Sequence, residues 1–152
     1  MDAESSWNYE LGLRGALKKV LSYELTGFYM DFSNQIIPVS ESSGGTGAGL
    51  INGGETVHKG IEFSYNIKFH EWFKMKPKFT ISNNLTFVKA YFSGDRFAKP
   101  GENIQGNQTP YAPAYCHNLT LNYETSRNIG VQLTANYIGQ QYTDLLNTQT
   151  PS

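Results

Sequence analysis

The chain carries 152 residues and a formal net charge of −1, from 12 Lys and Arg against 13 Asp and Glu. That balance excludes the basic footprint of a nucleic-acid binder and the cationic patch of a membrane-surface protein. One cysteine, Cys116, excludes an internal disulfide framework, and no apolar run reaches the ~18 residues of a transmembrane helix. Charged residues are only 16%, below the roughly 25% of ordinary soluble domains, while aromatics reach 14%. With abundant Gly, Asn, Thr and Ser, the composition is that of an all-β protein. The opening Met1-Asp2-Ala3-Glu4 is acidic and polar and does not read as a secretory signal, which fits a cytoplasmic protein or an internal piece of a longer one.

Six strands are predicted in chain order. Trp7–Arg14 alternates Trp7, Tyr9, Leu11 and Leu13 with Asn8, Glu10, Gly12 and Arg14, the period of two that gives a strand one apolar and one polar face. A short turn over 15–19 leads to a second strand over roughly 20–37. Leu21, Tyr23 and Leu25 keep phase there, but Phe28, Met30 and Phe32 take the other register, which predicts a bulge at Gly27. Residues 38–54, rich in Gly and Ser, read as a long loop. The third strand is the most regular: Ile61, Phe63, Tyr65, Ile67 and Phe69 face one way, and Gly60, Glu62, Ser64, Asn66 and Lys68 the other. After a turn over 70–77, Lys78–Phe92 forms the fourth strand. A second long loop, 93–113, is punctuated by Gly94, Pro100, Gly101, Gly106, Pro110 and Pro113. The fifth strand spans about 114–124, a turn covers 125–128, and the sixth runs from Ile129 through Tyr137.

The two faces of these strands fit either of two environments. A soluble sheet hides its apolar face in a core; a membrane barrel turns it outward to lipid and its polar face inward. The connections favour the second. Short turns follow the first, third and fifth strands, and long loops follow the second and fourth, as in outer-membrane barrels. Ten residues tilted by about 45° cross a band of roughly 24 Å. Aromatic residues near the predicted strand ends (Phe28, Tyr29 and Phe32; Phe69, Trp72 and Phe73; Tyr91 and Phe92; Tyr137 and Tyr142) resemble interfacial girdles. The polar face carries Gly, Ser, Thr, Asn and Gln rather than the Lys and Glu that keep a soluble surface in solution. The competing reading is a soluble all-β module that binds a glycan-type ligand.

Five segments then resemble, in order, the later barrel strands of TonB-dependent outer-membrane receptors: N-Y-E-L-G-L-R (8–14), L-T-G-F-Y-M-D-F-S-N-Q-I (25–36), N-G-G-E-T-V-H-K-G-I-E-F (52–63), G-N-Q-T-P-Y-A-P (106–113) and N-Y-I-G-Q-Q-Y-T-D-L-L-N-T (136–148). The last two segments are most similar to the ferric-citrate receptor branch. The resemblance implies a barrel of twenty-two strands around a plug domain, set in the bacterial outer membrane. Such a receptor binds an iron chelate and imports it with energy passed through the TonB complex. Its partners are therefore that complex, the chelate and outer-membrane lipid, with no nucleic acid and no cofactor. Residues 1–152 are then a partial barrel domain of about six strands, an antiparallel meander without plug, TonB box or C-terminal strand, expected to transport nothing alone.

Two groups of residues are candidates for function. Glu10 and Glu62 lie on the polar face of strands that run the same way, where a carboxylate away from bulk water needs a partner. The resemblance implies that they pair with plug arginines, since lumen glutamates in Y-E-x-G and G-x-E motifs do so in the family. In loop 93–113, Arg96, Lys99 and Gln105 are the ligand candidates, because guanidinium and ammonium groups meet the carboxylates of an anionic iron chelate. No catalytic or metal constellation is legible: His58, His70 and His117 fall on different elements.

Overall fold

Alternation along the segments, broken in the second by the switch at Phe28, sets up one main antiparallel sheet. The computed structural model describes residues 2–38, 49–99 and 101–150. In chain order its elements are β1 (Ser5–Leu17), β2 (Leu21–Ser33), β3 (Ile36–Pro38), β4 (Leu50–Asn52), β5 (Thr56–Lys68), α1 (Phe69–Phe73), β6 (Lys78–Phe92), β7 (Phe97–Lys99), β8 (Glu102–Asn103), β9 (Tyr115–Glu124) and β10 (Gly130–Ile138). The six long strands form one sheet in the order β1-β2-β5-β6-β9-β10, each antiparallel to its neighbours. This is the expected six-stranded meander. β3 pairs with β4 and β7 with β8, two small ribbons inside the long connections. Of the loop expected over 38–54, residues 39–48 lie outside the described part.

The register places every even-numbered strand residue on one face and every odd-numbered one on the other: Glu10 pairs with Phe28, Phe28 with Gly60, and Gly60 with Val88. The bulge expected at Gly27 is not there, because β2 pairs with both neighbours without a shift through that position. Phe28, Met30 and Phe32 simply turn to the polar face. Phe28 has a reason to do so: its ring stands 2.8 Å from where a Cβ on Gly60 would be, filling the gap left by the glycine across the strand pair. Phe32 lies edge-on to the His58 ring at 5.4 Å. The expected outer girdle therefore splits. Tyr29, Tyr91 and Tyr137 keep to the apolar face, whereas Phe28, Phe32 and Phe92 point to the polar one.

The odd face is bare. Leu11 is 83% exposed and Leu133 63%, with Leu13, Ile61, Phe87 and Val131 also exposed. Among the described residues no second layer covers it, and α1 buries none of its residues. Burying one such side chain is worth about 1.5–3 kcal/mol. About ten of them left in water would forgo more than the 5–15 kcal/mol that holds a typical domain together. A soluble sandwich needs a facing layer for this surface; a barrel wall needs lipid. The buried apolar side chains gather elsewhere, at one end of the sheet: Val57, Ala90, Phe92 and Ile104.

The two ends of the sheet differ as expected. At one end the turns are tight, with Lys18 and Asn128 in the left-handed conformation. Thr125 Oγ1 accepts hydrogen bonds from the Arg127 and Ile129 amides. The third connection departs from expectation, because Phe69 opens a helical turn instead of ending the strand. Phe69, Trp72 and Phe73, at i, i+3 and i+4, come together on one side of α1, with centroids 6.3 Å apart from Phe69 to each of the others. The Phe69 ring also meets Phe79 of the apolar face at 5.4 Å. The helix stops at Lys74, whose φ of 54° ends it in the left-handed cap. The long connections and their ribbons occupy the other end.

Candidate functional site

The even face forms a polar wall. Glu62 pairs across the sheet with Thr26 and Thr86, and Glu10 with Phe28. Glu10 and Glu62 share this face, with Cα atoms roughly 12 Å apart by strand spacing and rise. Glu10 Oε1 accepts a hydrogen bond from Asn8 Nδ2 at 3.0 Å. Glu62 is exposed and has no hydrogen-bond or ion-pair partner among the described residues. It lines a hollow of about 330 Å³ together with Glu24, Thr26, Asn84 and Thr86. A neighbouring hollow of about 430 Å³, which shares Glu24, Ser64 and Asn84 with it, adds Arg14, Ser22 and Ser82. Glu24 is therefore a further carboxylate on this face, which also carries Glu124. The alternation of Leu21, Tyr23 and Leu25 already placed it there, and sequence reasoning passed over it.

At the long-loop end the wall closes into a cavity of about 680 Å³. Thr56, His58, Phe92, Arg96, Tyr111 and Asp144 line it. β5 supplies Thr56 and His58, joined by a 3.1 Å contact between Thr56 Oγ1 and His58 Nε2. Phe92, the last residue of β6, is buried, and the Arg96 guanidinium carbon sits 4.7 Å from its ring centroid, a cation–π contact that holds a long side chain in one place. The β7–β8 ribbon fixes the Arg96 backbone. Its amide donates to Asn103 Oδ1 and its carbonyl accepts from the Ile104 amide at 2.7 Å, with Ile104 fully buried.

Two distant segments roof this cavity by docking on each other. Asn147 uses one side-chain amide to satisfy both backbone groups of Gln108: the Gln108 amide donates to Asn147 Oδ1 at 2.7 Å, and Asn147 Nδ2 donates to the Gln108 carbonyl at 2.8 Å. Asn107 Nδ2 donates to the Leu145 carbonyl, and the Tyr111 amide to the Tyr142 carbonyl. Asp144 ties up the second segment by accepting from the Thr148 and Gln149 amides and the Thr148 hydroxyl. Desolvation pushes the Asp144 carboxyl up, but the backbone amides of Gln149, Thr148 and Leu146 and the Thr148 hydroxyl outweigh it and hold its pKa below the usual carboxylate range.

The structure thus brings Arg96 to the cavity wall. Gln105 is not among the lining residues; its side-chain amide donates to the Ser93 carbonyl at 2.8 Å and its backbone amide to Asn103 Oδ1, so it braces its own loop. Lys99 ends β7, and its side chain lies outside the described part. Among the described residues no group of three or more His, Cys, Asp or Glu is placed to hold a metal ion.

A family model described as TonB dependent receptor-like, beta-barrel, matches residues 1–152. The ferric enterobactin receptor PirA of Pseudomonas aeruginosa is 29% identical, over 93% of this chain and 18% of that protein. The ferric yersiniabactin uptake receptor FyuA from Yersinia pestis superposes with a TM-score of 0.71 at 23% identity, covering 97% of this chain and 20% of that one. The unliganded ferric citrate transporter FecA gives a TM-score of 0.73 at 23% identity with the same coverage. At that identity the two structures show the fold. The chain spans about a fifth of the length of the relatives it matches.

Proposed function

The chain belongs to the TonB-dependent receptor β-barrel family, and from that membership we propose that it is a stretch of barrel wall in a bacterial outer-membrane receptor that takes up an iron chelate with energy delivered through the TonB complex. The observation that carries this reading is the division of one sheet into a bare apolar face and a polar face that ends, on the long-loop side, in a cavity holding a fixed arginine. A lipid-facing exterior, a plug-facing lumen and an outer binding surface need those three features in that arrangement. Arg96 is the proposed chelate contact. Lys99 shares its ribbon and is a second candidate, and Gln105 supports the loop that presents both.

Losing one charge-assisted hydrogen bond costs about 1.5–3 kcal/mol. Arg96→Ala in the full-length receptor is therefore expected to weaken ferric-chelate binding by tenfold or more in equilibrium titration, with uptake at saturating chelate little changed. Equal affinity for the variant would remove Arg96 from the site, and failure of the receptor to bind any ferric chelate would remove the function.

Glu62 and Glu10 are proposed to face the plug, Glu62 more critically because it has no partner among the described residues of this wall. Neutralising it should weaken a plug ion pair while leaving the barrel intact. Glu62→Gln is expected to loosen the plug, read as increased passage of small solutes through the lumen and lower uptake. Glu10→Gln should do less, since Asn8 already shares its carboxylate. Wild-type solute exclusion and uptake in Glu62→Gln would sink the role.

A further inference from the structure

We propose that the short-turn rim holds an anionic phospholipid at a defined place, its phosphate between Lys18 and Lys74 and an acyl chain against Leu17, Leu21 and Trp72. This rests on the membrane-barrel reading and adds to it a lipid site. A cavity of about 560 Å³ lies between the β1–β2 turn and α1, walled by these five residues with Val20 and Glu71. Its apolar side continues the bare odd face. Leu17 and Leu21 are register partners at the end of that face. Trp72, 61% exposed, stacks on Phe69, which in turn leans on Phe79 of the same face. Whatever solvates Leu11 and Leu133 therefore also reaches this cavity.

The charges point to the chemistry of the occupant. Lys78 pairs with Glu124, whereas Lys18 and Lys74 have no ion-pair partner among the described residues. Glu71, the carboxylate in the wall, lies 3.9 Å from His70 Nε2. Lys19 follows Lys18 and Lys76 lies two residues beyond Lys74, so both neighbour the cavity in sequence. Lys18 and Lys74 also both adopt the left-handed conformation, with φ of 53° and 54°. Glycine or asparagine takes that conformation with less strain. Two lysines at two such positions around one cavity retain charge where conformation alone favours a smaller residue. Cations at the mouth of an apolar slot that opens on the lipid side match a phosphodiester above an acyl chain, and each lysine near an anionic lipid surface contributes roughly fivefold to affinity.

The test uses the full-length receptor in nanodiscs of phosphatidylcholine containing phosphatidylglycerol, with lipids retained after mild detergent extraction counted by native mass spectrometry. Lys18→Gln/Lys74→Gln is expected to retain about 20-fold less phosphatidylglycerol than wild type, with phosphatidylcholine unchanged. The control Lys59→Gln/Lys89→Gln, at the other end of the apolar face, should retain both lipids as wild type does. Undiminished phosphatidylglycerol in the first variant, or an equal fall in both lipids, overturns the site while leaving the membrane reading in place. Failure of the wild-type receptor to enter nanodiscs overturns the membrane reading itself, and the site with it.

Discussion

Gly60→Val is expected to prevent the full-length receptor from assembling a stable barrel. A Cβ at this position collides with the carbonyl oxygen of Phe87 on β6 and with the Phe28 ring on β2. A ring can swing away, but a backbone carbonyl inside a strand pair cannot move without breaking the ladder. The cost exceeds the roughly 1–3 kcal/mol of ordinary overpacking, because the ladder itself has to break. In the gel-mobility assay that separates folded from unfolded barrels, the variant should run almost wholly unfolded. Gly27→Ala is the matched control: a Cβ there meets nothing within 4 Å, so its stability should stay within about 1 kcal/mol of wild type. Adding Phe28→Ala to Gly60→Val separates the two obstacles. If the double variant folds normally, the ring was the obstacle and the carbonyl clash is wrong.

The same glycine explains where the sequence was legible and where it misled. Alternation within a segment depends on neighbours two residues apart, so the strands, their faces and the six-stranded meander could all be read from single stretches such as Ile61 to Ile67. Whether Phe28 marks a bulge or a face change depends on what stands opposite, and that is Gly60, 32 positions away in the chain. No local pattern carries it. Phe69 was ambiguous for another reason. It continues the odd phase of β5 and also starts an i, i+3, i+4 aromatic set, and both periods fit until Lys74 caps the helix. Arg96 could be nominated from charge alone, but its place in the cavity depends on Phe92 beneath it and Ile104 behind it. The roof was illegible altogether, because an asparagine that substitutes for a paired strand leaves no periodic trace.

That roof carries the second large effect. Asn147→Leu is expected to release segment 106–113 from segment 142–149. The substitution keeps the side chain's size but removes the acceptor and donor that satisfy the Gln108 amide and carbonyl. It also puts a branched side chain at a φ of 57°, which asparagine tolerates better. Two neutral hydrogen bonds at about 1 kcal/mol each give a local loss of about 2 kcal/mol. Hydrogen exchange of the Gln108 amide in the full-length receptor should quicken by about 30-fold, while that of the Thr109 amide, which donates to the Ala90 carbonyl of β6, and of β9 and β10 stays as in wild type. Asn107→Ala, which removes one bond to the Leu145 carbonyl, should give about fivefold. Unchanged exchange in Asn147→Leu would mean that the Tyr111–Tyr142 contact and the Asp144 turn hold the roof by themselves. If exchange does quicken, chelate affinity should fall with it although Arg96 is intact, because Tyr111 and Asp144 then no longer close the cavity that Arg96 serves.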